Sequence, residues 1–80
     1  MRNKVYEVSA EITAFIQSKK TTRKGEVIVS AQSAEAITLE VLNEPQNLHR
    51  LIPKFLSGKL REGYKCTKIL NVKGPLGYGK

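Results

Sequence analysis

Aspartate is absent from this chain of 80 residues: all seven of its acids are glutamate. Asp-rich calcium loops and the Asp-based magnesium sites of phosphoryl transfer are thereby excluded. The single cysteine, Cys66, has no partner for an internal disulfide, and with the single histidine, His49, it falls short of a four-ligand structural zinc site. No metal and no other cofactor is expected. No apolar run approaches the roughly 18 residues that cross a bilayer, and Met1-Arg2-Asn3-Lys4 leads into no apolar signal-peptide segment. The expectation is a cytoplasmic protein with no membrane partner, held by packing alone. A chain this short buries only about 60% of its unfolded surface, which leaves little room for a deep cleft beside a core.

What is present is cationic charge. Fourteen Lys and Arg against seven Glu give a formal net charge of +7, in a chain 40% hydrophobic and 26% charged. Those fractions are ordinary for a globular domain, so wholesale disorder is not expected.

Period-two alternation opens the chain. Tyr6, Val8, Ala10, Ile12, Ala14 and Ile16 fall on one face of residues 5–17, opposite Glu7, Ser9, Glu11, Thr13 and Gln17, a half-buried strand. Residues 18–25 hold no apolar side chain and four cations, and read as a loop ending in Gly25, a residue suited to positive φ. The β-branched stretch 26–31 reads as a second strand, joined to the first as an antiparallel hairpin. Ser33 is placed to cap a helix over residues 34–42, with Glu35 in its first turn and Asn43-Glu44-Pro45 at its end. The alternation of Ile37, Leu39 and Val41 with Thr38 and Glu40 keeps a third strand as the rival reading, and the Ser33 cap and the Ala-Glu-Ala start favour the helix. Leu48, Leu51, Ile52, Phe55, Leu56 and Leu60 have helical spacing, which Pro53 divides into a turn at 47–52 and a helix beginning at the proline. Residues 64–72 alternate again, as a strand with Lys on both faces. From Gly74 to Lys80 three glycines and a proline suggest a flexible basic tail.

The expected fold is α+β: a small antiparallel sheet, made of a β-hairpin and a C-terminal strand, packed against one or two short helices in the order β-β-α-(α)-β. One domain spans residues 1–73 and the tail spans 74–80. This order resembles that of small accessory proteins, phage-encoded ones among them, as a topology and without a shared motif.

Catalytic chemistry finds little support. Cys66 and His49 form the only available thiol–imidazole pair, and each is better read as a small strand residue and a surface helix residue. Gly74-Pro75-Leu76-Gly77 precedes no helix, and Thr22-Arg23-Lys24-Gly25 runs into a strand, so neither is a phosphate loop. No catalytic residue is assigned. The strongest feature is the basic cluster Lys19, Lys20, Arg23 and Lys24, interleaved with the hydroxyls of Thr21 and Thr22, a combination that neutralises and hydrogen-bonds phosphates. Lys59, Arg61, Lys65, Lys68 and Lys73 add a second basic group, where Tyr64 and Tyr78 offer stacking surfaces. The expected role is non-enzymatic contact with the backbone of RNA or DNA. The rival reading is a small adaptor or inhibitor docking on an acidic protein surface. The apolar helical stripe around Leu51 and Phe55 suits a core first and a homodimer second.

Overall fold

The computed structural model describes residues 3–56 and 58–78. It is an α+β fold in which strands β1 (Lys4–Ile16), β2 (Lys19–Ala31) and β3 (Lys65–Tyr78) form one antiparallel sheet in the order β2-β1-β3. Between β2 and β3 lie a 3-10 turn (Ala34–Ala36) and three short helices, α1 (Leu39–Leu42), α2 (Pro45–Leu51) and α3 (Lys59–Glu62). The molecule is elongated, 45 × 20 × 17 Å.

The alternation of β1 is realised from Tyr6 to Ala14; Gln17, read as part of the strand, lies in the turn, and the side chain of Ile16 lies outside those described. Tyr6, Val8, Ala10, Ile12 and Ala14 are buried beneath the helices, where they meet Val27, Val29, Ile37, Leu42, Leu51, Ile52, Leu56, Tyr64 and Cys66. Each Val, Ile or Leu of this set contributes roughly 1.5–3 kcal/mol on full burial. Leu51, Ile52 and Leu56 are therefore core residues, which leaves Phe55 as the exposed aromatic of that stripe. The opposite face of β1 carries Glu7, Ser9, Glu11, Thr13 and Phe15, with no helix over it.

The hairpin corrects the loop expected at residues 18–25. Ile16 pairs with Lys19 and the turn is only Gln17-Ser18, both residues at positive φ (52° and 65°). Positive φ at both central positions is the type I′ geometry, whose twist matches the flanking strands. Lys19 through Gly25 accordingly belong to β2. Their polar composition reads as loop because this end of the strand has little apolar surface to alternate.

Gly25 has a different task from the turn role assigned to it. It is buried within β2, and a Cβ there would lie 2.0 Å from the Leu51 carbonyl oxygen, so its missing side chain lets the end of α2 rest on the strand.

Residues 34–42 are not a strand, so the sheet stays three-stranded, and they are not one helix either. Ser33 makes no side-chain cap bond on the 3-10 turn. Ile37 is extended and buried, and Thr38 caps α1 instead, its hydroxyl accepting from the Val41 N–H at 3.3 Å. Pro45 begins α2 rather than only ending what precedes it, since the first helical turn needs no N–H from it. Pro53 follows the extended C-cap Ile52 and starts no helix, as the restriction on the residue before proline requires.

Strand β3 departs from strict alternation. Ser9 faces Asn71 while Ala10 faces Ile69, and Glu11 faces Lys68 while Ile12 faces Cys66, so Leu70 and Thr67 are extra residues on β3. Two such bulges turn Cys66, Ile69 and Val72 toward the core at a spacing of three and leave Lys68 outside. The expected tail is also corrected: β3 continues through Tyr78, with Gly77 opposite Val5 and Tyr78 opposite Lys4. Gly74 absorbs the irregularity at φ 136°. The first and last two residues of the chain lie outside the described residues, including the Gly79 and Lys80 of that tail.

Two measurements follow. Gly25→Ala forces α2 off the sheet and lowers stability by about 1–3 kcal/mol, read as a reduced urea midpoint with native secondary structure. Gln17→Asn with Ser18→Gly relieves two unfavourable left-handed residues and raises stability by about 1 kcal/mol in the same assay.

Candidate nucleic-acid interface

The open face of the sheet is built in rows that cross all three strands. Thr13 of β1 lies between Thr22 of β2 and Lys65 of β3, Glu11 between Lys24 and Lys68, and Glu7 between Ile28 and Lys73. Beyond them Phe15 faces Lys20 at the hairpin end. Neighbouring strands are about 4.8 Å apart, so the lysines of β2 and β3 form two columns roughly 10 Å apart on either side of β1.

Between these columns runs a hydroxyl row. Thr13 Oγ1 lies 2.9 Å from Thr67 Oγ1 and 3.3 Å from Thr22 Oγ1, and the Thr67 hydroxyl donates to the Glu11 carbonyl at 3.4 Å. The bulge at Thr67 brings this side chain onto the same face as Lys65 and Lys68.

The other face of the hairpin end is also cationic. Lys19, Thr21 and Arg23 alternate with Lys20, Thr22 and Lys24 and so point toward the helical side. The Arg23 guanidinium lies 5.5 Å from the centroid of the Phe55 ring, which is 71% exposed. A cation held over an aromatic face at an exposed site gains about 0.5–1 kcal/mol. The hairpin end thus presents Lys19, Lys20, Arg23 and Lys24, joined on the open face by Lys65 and Lys68, with Glu11 the carboxylate among them.

Of the residues singled out in the sequence, Lys20, Thr22, Lys24, Lys65 and Lys68 come together on one surface. Lys73 occupies the same face further along, opposite Glu7. Lys59 stands exposed on α3. Two assignments fail. Tyr64 is 2% exposed and packed in the core, so it offers no stacking surface, whereas Tyr78 is exposed. Arg61 is occupied by the chain itself: Nη1 donates to the carbonyls of Pro53 (3.2 Å) and Leu56 (2.9 Å), and Nη2 to that of His49. A fork that satisfies two loop carbonyls and one of α2 ties residues 53–56 to that helix, a role charge counting along the sequence does not reveal.

Known proteins add no further constraint. The chain matches no family model, no curated protein and no solved structure. The surface chemistry therefore has to speak for itself.

Nothing around the thiol resembles an activated nucleophile. Cys66 is buried, and that burial pushes its pKa above the ordinary value. Its backbone is engaged by Asn43, whose Oδ1 accepts from the Cys66 N–H at 2.8 Å and whose Nδ2 donates to the Cys66 carbonyl at 3.0 Å. That reciprocal pair occupies the outer edge of β3 as a neighbouring strand would. Among the described residues there is no group of three or more His, Cys, Asp or Glu able to hold a metal ion, and no helix long and apolar enough to cross a membrane.

Sequence reading missed Thr13 and Thr67. Thr13 lies away from the basic runs of the chain and Thr67 lies among the lysines of β3, and only the register of β1 with its two neighbours brings the two hydroxyls together on the open face.

Arg61→Met strips three carbonyls of their donor and lowers stability by about 1–3 kcal/mol in urea unfolding. Lys65→Met removes the same charge from an exposed position and leaves the midpoint within about 0.5 kcal/mol.

Proposed function

We propose that this protein binds the phosphate backbone of nucleic acids through the hairpin end of its sheet, without catalysing a reaction. One observation carries the reading: the two lysine columns, Lys20 and Lys24 on β2 and Lys65 and Lys68 on β3, flank the hydroxyl row Thr22-Thr13-Thr67 on a face that no helix covers. Ammonium groups neutralise phosphates and release their counterions, and hydroxyls donate to phosphate oxygens. Both groups recognise backbone rather than bases, so the binding has little sequence preference. Among the described residues no helix is long enough or free enough to read a groove.

Glu11 does not cancel this field. It lies between Lys24 and Lys68, and the cations on both faces of the hairpin end outnumber it. Phe15, 74% exposed beside Lys20, gives a base at the strand end something to stack on. We place the protein among polyanion-binding domains on the same grounds, and a cytoplasmic location, where nucleic acid is met, belongs to the same proposal.

The test is a set of titrations against single-stranded RNA, duplex RNA, duplex DNA and heparin over a range of salt. With Lys20, Lys24, Lys65 and Lys68 all changed to Ala, the slope of log affinity against log salt becomes shallower by about 3.6 on duplex DNA or about 2.8 on a single strand, if each lysine meets one phosphate. The double variant Arg50→Ala, Lys54→Ala, which removes charge elsewhere, leaves the slope unchanged. Absence of binding to every nucleic acid at about 50 mM salt, or equal slope loss in both variants, contradicts the proposal.

A further inference from the structure

Neither outer edge of the sheet has a neighbouring strand among the described residues, and a side chain covers that of β3 at Cys66. On β3, the side-chain amide of Asn43 bonds to both backbone groups of Cys66. On β2, no described residue other than those of β1 makes a backbone hydrogen bond to the strand. The half of β2 near the turn is protected by charge, with Lys19, Lys20, Arg23 and Lys24 in place to repel an incoming strand. Residues 27–29 are Val-Ile-Val and carry no such protection. Along them runs a groove of about 670 Å³, within the roughly 300–1,000 Å³ typical of ligand clefts. Glu7, Glu26 and Ile28 line it from the strands, and Arg50, Ile52 and Lys54 from the far side.

We infer that this groove takes an extended acidic peptide of a partner protein, added to β2 as a fourth strand. The unpaired edge over residues 26–30 supplies the main-chain hydrogen bonds, as in other cases of strand addition. Alternate side chains of such a peptide point to opposite faces. Those on the helical side approach Arg50 and Lys54, both exposed, and carboxylates match them. Those on the other side lie over Ile28, 40% exposed, and apolar residues match it. A second copy of this chain is the poorer occupant, because its own residues 26–30 turn Val27 and Val29 to the helical side and offer no carboxylate there to Arg50 and Lys54. A nucleic acid is poorer still, because it has no amide ladder to offer the edge; the carboxylates of the peptide meet Arg50 and Lys54 on the helical side, whereas Glu7 and Glu26 lie on the open-face side with Ile28. The inference stands independently of the binding role of the hairpin end.

The experiment is a chemical-shift titration of the intact chain with a blocked heptapeptide of alternating Glu and Val, to about 2 mM. Saturable shifts at the amides of residues 26–30, 50–52 and 54 are expected. Arg50→Glu with Lys54→Glu weakens binding about tenfold or more. N-methylation of alternate peptide nitrogens abolishes binding to the unaltered protein, which needs no variant to fold. Equal binding of the N-methylated peptide, or of a Lys and Val counterpart, overturns the inference. So do shifts confined to residues 19–24 and 65–68, or no shift at all. Movement of the residue 26–30 amides on concentrating the protein alone also overturns it, since the occupant would then be a second copy.

Discussion

Strand β1 is the constraint on which the rest of this fold depends. It is paired along both edges, to β2 through the whole of its length and to β3 through a bulged ladder, and every second side chain from Tyr6 to Ala14 is sealed beneath the helices. A strand held on three sides cannot slip, because a one-residue shift would bring Glu7 and Glu11 into the core and Val8 and Ile12 out of it. With β1 fixed, the short helices need only cover one face. They are single turns or little more, unable to persist alone, and are kept by local contacts: the Leu51 carbonyl seated on Gly25, Asn43 on the edge of β3, and Arg61 on the loop carbonyls.

The same constraint decides where the charge goes. A long loop at residues 18–25 would hold the basic cluster as a mobile tip with no fixed geometry. A two-residue turn instead sorts it by the pleat, Lys20 and Lys24 to the open face, Lys19 and Arg23 to the helical side. The net charge of +7 thereby acquires a direction. On the open face the lysines of β2 are matched across β1 by those of β3, and long flexible side chains on a rigid frame meet a polyanion at a smaller loss of conformational freedom than cations on a loop.

The legible parts of the fold were those set by local pattern. The alternation of β1 is visible because one face is buried and one is wet. The α+β order follows from that alternation and from the helical spacing after Pro45, although Ser33 and Pro53, read as helix starts, begin no α-helix. The extent of β2 was hidden because Lys19 to Lys24 have water on most sides, so no hydrophobic period marks them as a strand. The inward turn of Ile69 and the outward turn of Lys68 were hidden for another reason, since bulges depend on the partner strand and leave no trace in local composition. Of the interface, the basic residues were found by counting charge. The hydroxyls of Thr13 and Thr67 appear only with the register, and Tyr64 and Arg61, read as surface groups, are used by the core and the loop.

The central claim is that residues 19–25 are a strand of fixed register and not a polar loop. Native-state amide hydrogen exchange tests it most directly. Alternate amides from 19 to 25, those directed at β1, are predicted to be protected, with protection rising from the turn toward Gly25. Uniformly fast exchange throughout 18–25, beside protected amides at 27 and 29, would contradict it.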